Sequence, residues 1–216
     1  MVKHDAEHVQ LLRHGLQALA LEPADPAVEK LLRYVDLLGK WNRSYNLTAI
    51  RDPGEMITRH LLDSLSVMPY IEGPRLVDVG TGPGLPGIPL AILSPEYSWV
   101  LLDSNAKKTR FVTQAVAELG LGNVRVITGR AAGVELEPCC NTVISRAFAH
   151  TRVFIDSVGH LCCEDGRMLA MKGAPEQAEL TDLPPGYRAE LISLQVPGLD
   201  ARRCIIRITR NNSRLD

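Results

Sequence analysis

The 216-residue sequence has no apolar run approaching the roughly 20 residues that cross a bilayer, which excludes a membrane-spanning helix. Its opening stretch, MVKHDAEHVQLL, mixes acidic with basic residues and has no apolar segment leading to a small-residue cleavage site. That argues against a secretory signal and makes a cytoplasmic location the expectation. Metal-ligand spacing is lacking too. The five cysteines fall as Cys139-Cys140, Cys162-Cys163 and Cys204, and neither adjacent pair has the intervening residues that let two thiolates grip one ion. They are expected to be reduced, mostly buried small hydrophobes in a reducing compartment, with no metal site. An excess of positive charge is also missing. With 24 Lys+Arg against 25 Asp+Glu the net charge is −1, so the chain does not hold naked nucleic acid by overall charge. Locally, Arg202, Arg203, Arg207, Arg210 and Arg214 stand near the end against Asp216, a positive tail or a solvated edge strand. There is no internal repeat or low-complexity segment.

What is present is an ordinary globular composition, 45% hydrophobic and 23% charged, in a chain long enough for one α/β domain and a small extension. Val28, Leu31, Leu32, Val35, Leu38 and Trp41 recur at spacings of three and four, which predicts a helix with one buried face. Asp52-Pro53-Gly54-Glu55 sets an N-cap before a first-turn proline, and apolar residues follow at Ile57, Leu61, Leu65 and Met68. The region 1–72 therefore reads as a helical extension. From Glu72-Gly73-Pro74 onward, β-rich runs at 76–79, 99–102, 124–127, 142–145, 168–171, 191–196 and 204–208 alternate with helical lengths at 86–93, 105–119 and 150–162. This predicts an α/β domain at 73–216 on a mostly parallel seven-stranded sheet. The last two runs are joined through Pro197-Gly198 without a helix, so they are expected to form an antiparallel hairpin at the sheet edge.

The first run leads into Asp78-Val79-Gly80-Thr81-Gly82-Pro83-Gly84, a loop at the carboxyl end of a strand, where open α/β sheets bind ligands. Gly82-Pro83-Gly84-Leu85-Pro86-Gly87 fits G-x-G-x-x-G, so a dinucleotide-binding protein competes with a methyltransferase. Two details favour S-adenosylmethionine. Asp78 can meet a cationic amino acid moiety, and Pro83 and Pro86 each remove an N–H that a pyrophosphate would need. Asp103, about 20 residues beyond the loop, is placed to accept hydrogen bonds from an adenosine ribose, or else to cap the helix near Asn105. Gly129-Arg130-Ala131-Ala132 lies where the rim of an adenine pocket belongs. Ser145-Arg146-Ala147-Phe148-Ala149 reaches the same sheet edge. There Arg146 can hold a cofactor carboxylate or substrate phosphate, and Phe148 can stack on a base or pack in the core. Lys172 closes the fifth run, as a phosphate ligand or a solvated charge.

Lys40-Trp41-Asn42 with Tyr45-Asn46-Leu47-Thr48, Arg51-Asp52, Arg59-His60 with Leu62-Asp63-Ser64, the DVGTGPGLPGIPLAI loop, LLDS at 101–104, VISRAFA at 143–149 and MKG at 171–173 together resemble the RsmG (GidB) family over about residues 31–210. The resemblance implies a class I, Rossmann-like methyltransferase with the last strand antiparallel. It would use S-adenosylmethionine to modify N7 of a guanine in the decoding region of 16S rRNA, guanine 527 in the usual rRNA numbering. It further implies a monomer acting on the small ribosomal subunit, without metal or membrane. Cofactor contacts are implied at Gly80, Leu85, Ala131, Ala132 and Arg146, with Asp103 added on general methyltransferase grounds and Asp78, Gly82 and Gly84 from the reading of the glycine loop itself. Where Ala132 stands the family usually has glutamate, which leaves only a backbone contact. Where the family often has a basic residue near the end of the last strand this chain has Thr209, with Arg207 and Arg210 beside it. Arg59, His60, Lys107, Phe148, Lys172 and Arg203 are the expected RNA contacts.

N7 of guanine has a lone pair and no proton, so no general base and no catalytic side chain is expected. Catalysis rests on aligning donor and acceptor and excluding water, with the guanine drawn out of its stack. The competing readings are an NAD-linked oxidoreductase, a noncatalytic RNA-binding module and a small-molecule methyltransferase.

Overall fold

A computed structural model of the chain describes residues 5–174 and 178–211; Arg214 and Asp216 of the basic tail lie outside the described residues. Among the described residues one sheet is built from β1 (Arg75–Val79), β2 (Ser98–Asp103), β3 (Val124–Thr128), β4 (Cys140–Ser145), β5 (Cys162–Lys172), β6 (Tyr187–Leu194) and β7 (Arg203–Arg210). The strand order is β3-β2-β1-β4-β5-β7-β6. The first five strands are parallel, and β7 runs antiparallel between β5 and β6. The last two strands do form a hairpin at the edge, and their apolar patterns decide which lies inside. Ile205, Ile206 and Ile208 of β7 are buried on both faces, as an interior strand requires, whereas β6 exposes much of its length.

Alternate side chains of each strand enter two separate cores. On one face Leu76, Leu101, Ile144, Leu169 and Ile205 pack with α5 (Gly87–Leu93), α6 (Ala106–Leu119) and the N-terminal helices α1 (Ala6–Ala18) and α2 (Asp25–Tyr45). On the other, Val77, Val79, Leu102, Val143 and Ile208 pack with Phe154, Ile155 and Val158 of α7 (Thr151–Val158). The apolar cluster that begins at Leu12 and Leu31 thus continues without a break into the sheet at Leu76.

The second helical region departs from the regular helix that its spacing predicts. Asp52 caps Glu55 N–H at 2.9 Å and opens α3 (Pro53–Met56), but Ile57–Leu62 then widens into a π-helical turn before α4 (Asp63–Leu65). Such turns re-aim side chains and recur at functional sites. Here Ile57, Leu61 and Leu62 remain in the core while Asp63 turns toward Arg146, just past the end of β4, and Arg203 of β7.

The cysteines correct the expectation of five free thiols. Cys139 and Cys163 are joined by a disulfide, with Cα atoms 5.2 Å apart, and Cys140, Cys162 and Cys204 are free and buried. Each sequence-adjacent pair begins one of two neighbouring parallel strands, and Cys140 is the register partner of Cys162. The bridge forms between the pairs, a proximity set by the sheet and invisible in the spacing. No helix is long and apolar enough to cross a membrane among the described residues.

Candidate functional site

The chain leaves β1 toward β2 and β3 and later returns to β4 on the other side of β1, which opens a crevice at the carboxyl ends of β1 and β4. Ser145 fastens this point. Its Oγ donates to the Val79 carbonyl at 2.6 Å and accepts from Ala147 N–H at 3.1 Å. Gly80, at φ 70°, lies so close to Ala147 that a Cβ would stand 2.7 Å from the alanine methyl.

Every N–H from Gly80 to Ile88 is already used within the protein. Gly80 and Thr81 donate to Leu102 O, and Gly84 and Leu85 to Thr81 O, while Ile88 donates to Gly84 O. Gly82 N–H donates to Asp103 Oδ2 at 2.8 Å and Gly87 N–H to Asp78 Oδ2 at 2.9 Å, and Pro83 and Pro86 have none to offer. The Asp78 carboxylate, wholly buried at the start of α5, therefore occupies the seat where a phosphate would bind. Burial pushes its pKa up to about 6, against the hydrogen bonds from Thr81 and Gly87. Its Oδ1 is buried with no hydrogen-bond partner. An arrangement with no free donor and one orphaned acid oxygen repels a pyrophosphate and suits a cation. From behind, Tyr34 of α2 donates to the Pro83 carbonyl at 2.9 Å, so the N-terminal helices buttress the loop.

A cavity of about 510 Å³ opens beside it, lined by Gly80, Asp103, Ala131, Ala132 and Phe148 among others. Asp103 accepts from Gly82 and Asn105 N–H groups, one on each oxygen, and each oxygen retains a lone pair for a hydroxyl. Asn105 itself caps α6 through Lys107 N–H. Ala131 and Ala132 form a 3₁₀ turn at the rim, where a small side chain leaves the backbone accessible. Of the other expected cofactor contacts, Asp78, Gly82, Gly84, Leu85 and Arg146 do not line this cavity; the first four shape the loop, with the Leu85 side chain in the core, and Arg146 lines another cavity. The cavity has a hydroxyl acceptor in Asp103 and a Cβ-free approach at Gly80, while Asp78 lies wholly buried behind the loop and does not line it.

Arg146 lies beyond Ala147, in a second cavity of about 420 Å³ that also takes in Arg59, His60, Asp63, Lys172 and Arg203. Asp63 was not among the expected site residues, although a carboxylate inside the apolar run Ile57 to Leu65 signals a buried partner. It is almost completely buried, with Oδ2 accepting from Arg146 at 3.1 Å and Oδ1 from Arg203 at 2.8 Å. One carboxylate thus orders two guanidinium groups that lie 83 and 140 residues further along the sequence. Arg59 is exposed and has no carboxylate partner among the described residues.

Three of the expected RNA contacts are re-read by the geometry. His60 is buried, with Nε2 2.9 Å from Thr48 Oγ1 and Nδ1 3.1 Å from its neighbour's carbonyl. Desolvation, then Arg146, lowers its pKa to about 4, so the neutral ring anchors the 46–51 loop. Lys172 is not solvated, since the Ala149 carbonyl and the Glu179 carboxylate hold its ammonium. Phe148 faces the first cavity and packs on Phe154 with ring centroids 5.1 Å apart. Lys107 lines neither cavity; Lys108 borders the first. Arg207 pairs with Glu190, and Arg210 is held by Tyr187 and the Gly159 carbonyl, both away from the crevice.

A family model described as rRNA small subunit methyltransferase G (GidB) matches residues 27–206. The chain is 48% identical over 206 residues to a ribosomal RNA small subunit methyltransferase G of Neisseria meningitidis serogroup C, covering 94% of this chain and 99% of that protein. It is 47% identical over 210 residues to a protein of the same name from Chromobacterium violaceum, covering 96% and 99%. Among solved structures, a SAM dependent methyltransferase from Aquifex aeolicus matches with a TM-score of 0.54 at 16% identity, over 73% of this chain and 93% of that one, a likeness of fold.

Proposed function

The chain belongs to the rRNA small subunit methyltransferase G family, and from that premise we propose that it transfers a methyl group from S-adenosylmethionine to N7 of a guanine in 16S rRNA, guanine 527 in the usual numbering. The observation that carries the cofactor assignment is the glycine loop, whose N–H groups are all engaged and whose helix N-terminus is filled by Asp78. Bound there, S-adenosylmethionine supplies an electrophilic methyl on a sulfonium. Asp103 would hold the hydroxyls of the donor, Gly80 would admit its close approach and Ala131-Ala132 would border the base, with the Asp78 carboxylate behind the loop favouring its cationic end.

The second cavity supports the substrate assignment. Arg146 and Arg203 are preset by Asp63, and Arg59 stands free at the rim, so a phosphate-bearing nucleotide meets donors already oriented. The side chains deliver no proton and accept none, because N7 brings its own lone pair. Their work is to fix the base and exclude water, an orientation effect worth several kcal/mol. Transfer of labelled methyl from S-adenosylmethionine to small ribosomal subunits, with the labelled base mapped, tests the assignment. Label at N7 of the decoding-region guanine is expected, and label elsewhere or none at all sinks it. Calorimetry with NAD in place of S-adenosylmethionine should show no binding.

A further inference from the structure

The N-terminal helices carry a second basic cavity, of about 430 Å³, that the methyl-transfer site does not use. Lys40 and Arg43 from the end of α2 line it with Arg51, and Asp36 supplies its acidic wall. The motif residues around them have visible structural work. Trp41 stacks near Tyr45 and Phe111, at centroid distances of 5.0 and 5.7 Å. Buried Asn42 donates to the Ile50 carbonyl and accepts from Thr48 N–H, and Thr48 in turn bonds Ile50 N–H and His60. The 46–51 loop is thereby locked. Lys40, Arg43 and Arg51 take no part in this. All three are exposed, and none is within ion-pair distance of a carboxylate among the described residues. The carboxylate whose charge Lys40 feels is Glu118, which is bonded to Arg33.

The locked loop is also the wall between the two basic cavities. Ile50 lines the methyl-transfer cavity and the next residue, Arg51, lines this one, with Cα atoms about 3.8 Å apart. A strand that places its base among Arg59, Arg146 and Arg203 therefore has this loop beside it, within reach of a neighbouring phosphate. Resting on the function proposed above, we propose that Lys40, Arg43 and Arg51 form a phosphodiester subsite for single-stranded rRNA flanking the target guanine. A rigid loop with an unpaired cation at its tip loses little entropy when it meets a phosphate. Because the three contacts are sequence-independent, they position the RNA and leave the choice of base to the methyl-transfer cavity.

The test uses the full chain with small ribosomal subunits as substrate and compares wild type, the triple variant Lys40→Gln/Arg43→Gln/Arg51→Gln and the charge-keeping triple Lys40→Arg/Arg43→Lys/Arg51→Lys. The Gln variant should raise KM for subunits by at least about tenfold, with the loss falling on KM rather than kcat. Its log–log salt dependence of kcat/KM should be shallower by about 2, at about 0.7 per lost single-strand contact. Calorimetry should give wild-type affinity for S-adenosylmethionine, and the charge-keeping variant should retain most of the wild-type KM. An unchanged KM and salt slope in the Gln variant overturns the subsite, as does a loss that the charge-keeping variant shares. If wild type itself transfers no methyl to 16S rRNA, the function reading fails and takes this one with it.

Discussion

Asp78 stands in the place of a bound anion, and its protonation should report on what binds above it. Its pKa lies near 6, raised by burial. A cationic group beside Oδ1 favours the carboxylate, lowers that pKa and releases a proton on binding. Affinity for S-adenosylmethionine should accordingly rise as pH increases through about 6 and level off above it. Asp78→Asn should bind more weakly and show a flat profile; calorimetry across the pH range checks both. His60 has the opposite sign in stability. Its folded pKa, about 4, lies below the ordinary 6.5, so the neutral ring contributes fully above 6.5 and the contribution disappears as pH falls through 4. Asp78 partly masks this, because its raised pKa contributes stability below 3.8 that is lost as pH rises through about 6. The comparison that isolates the histidine is wild type against His60→Gln. Their difference in unfolding free energy should shrink by about 2–3 kcal/mol between about pH 7.5 and 4.5.

Elements differ in how far their own residues announce them. The glycine loop and its following helix were legible, and at Gly87 the structure adds a close approach. A Cβ there would stand 2.1 Å from Leu101 Cδ2 and 2.9 Å from Asp78 Oδ2. Gly87→Ala should destabilise the fold by about 1–3 kcal/mol and weaken S-adenosylmethionine binding, since Asp78 must move. Gly122→Ala, where a Cβ meets nothing within 4 Å, should stay within about 0.5 kcal/mol of wild type in denaturant titration. The π-helical turn was not legible. Ile57, Leu61 and Leu65 keep a four-residue spacing that an α-helix would share, and the partners of Asp63 are 83 and 140 residues away. Likewise nothing near Lys172 or His60 indicates that Glu179 and Thr48 engage them. Burial and partnering of a charge are properties of the assembled site.

At the scale of the whole molecule, alternation of strand and helix lengths foretold the parallel sheet, and the continuous apolar run in β7 agrees with its interior place. The disulfide was missed because it depends on which strands become neighbours. It ties the amino ends of β4 and β5, opposite the cavities, and closes a separation of 24 residues. Reduction, or Cys139→Ser, should lower stability by about 3 kcal/mol while methyl transfer below the new melting temperature is unchanged; thermal unfolding with and without a thiol reductant checks the first part.

The pairing of Asp63 with Arg203 has a consequence for how the enzyme comes into being. The carboxylate belongs to the first third of the chain and the guanidinium to its last strand. A polypeptide emerging from the translating ribosome can fold its helices and first strands early, and Arg146 can then meet that buried acid, yet its second oxygen stays unpaired and the sheet lacks β7 until Arg203–Arg210 have been made. A nascent chain that has not yet reached Arg203 lacks one wall of the arginine cavity.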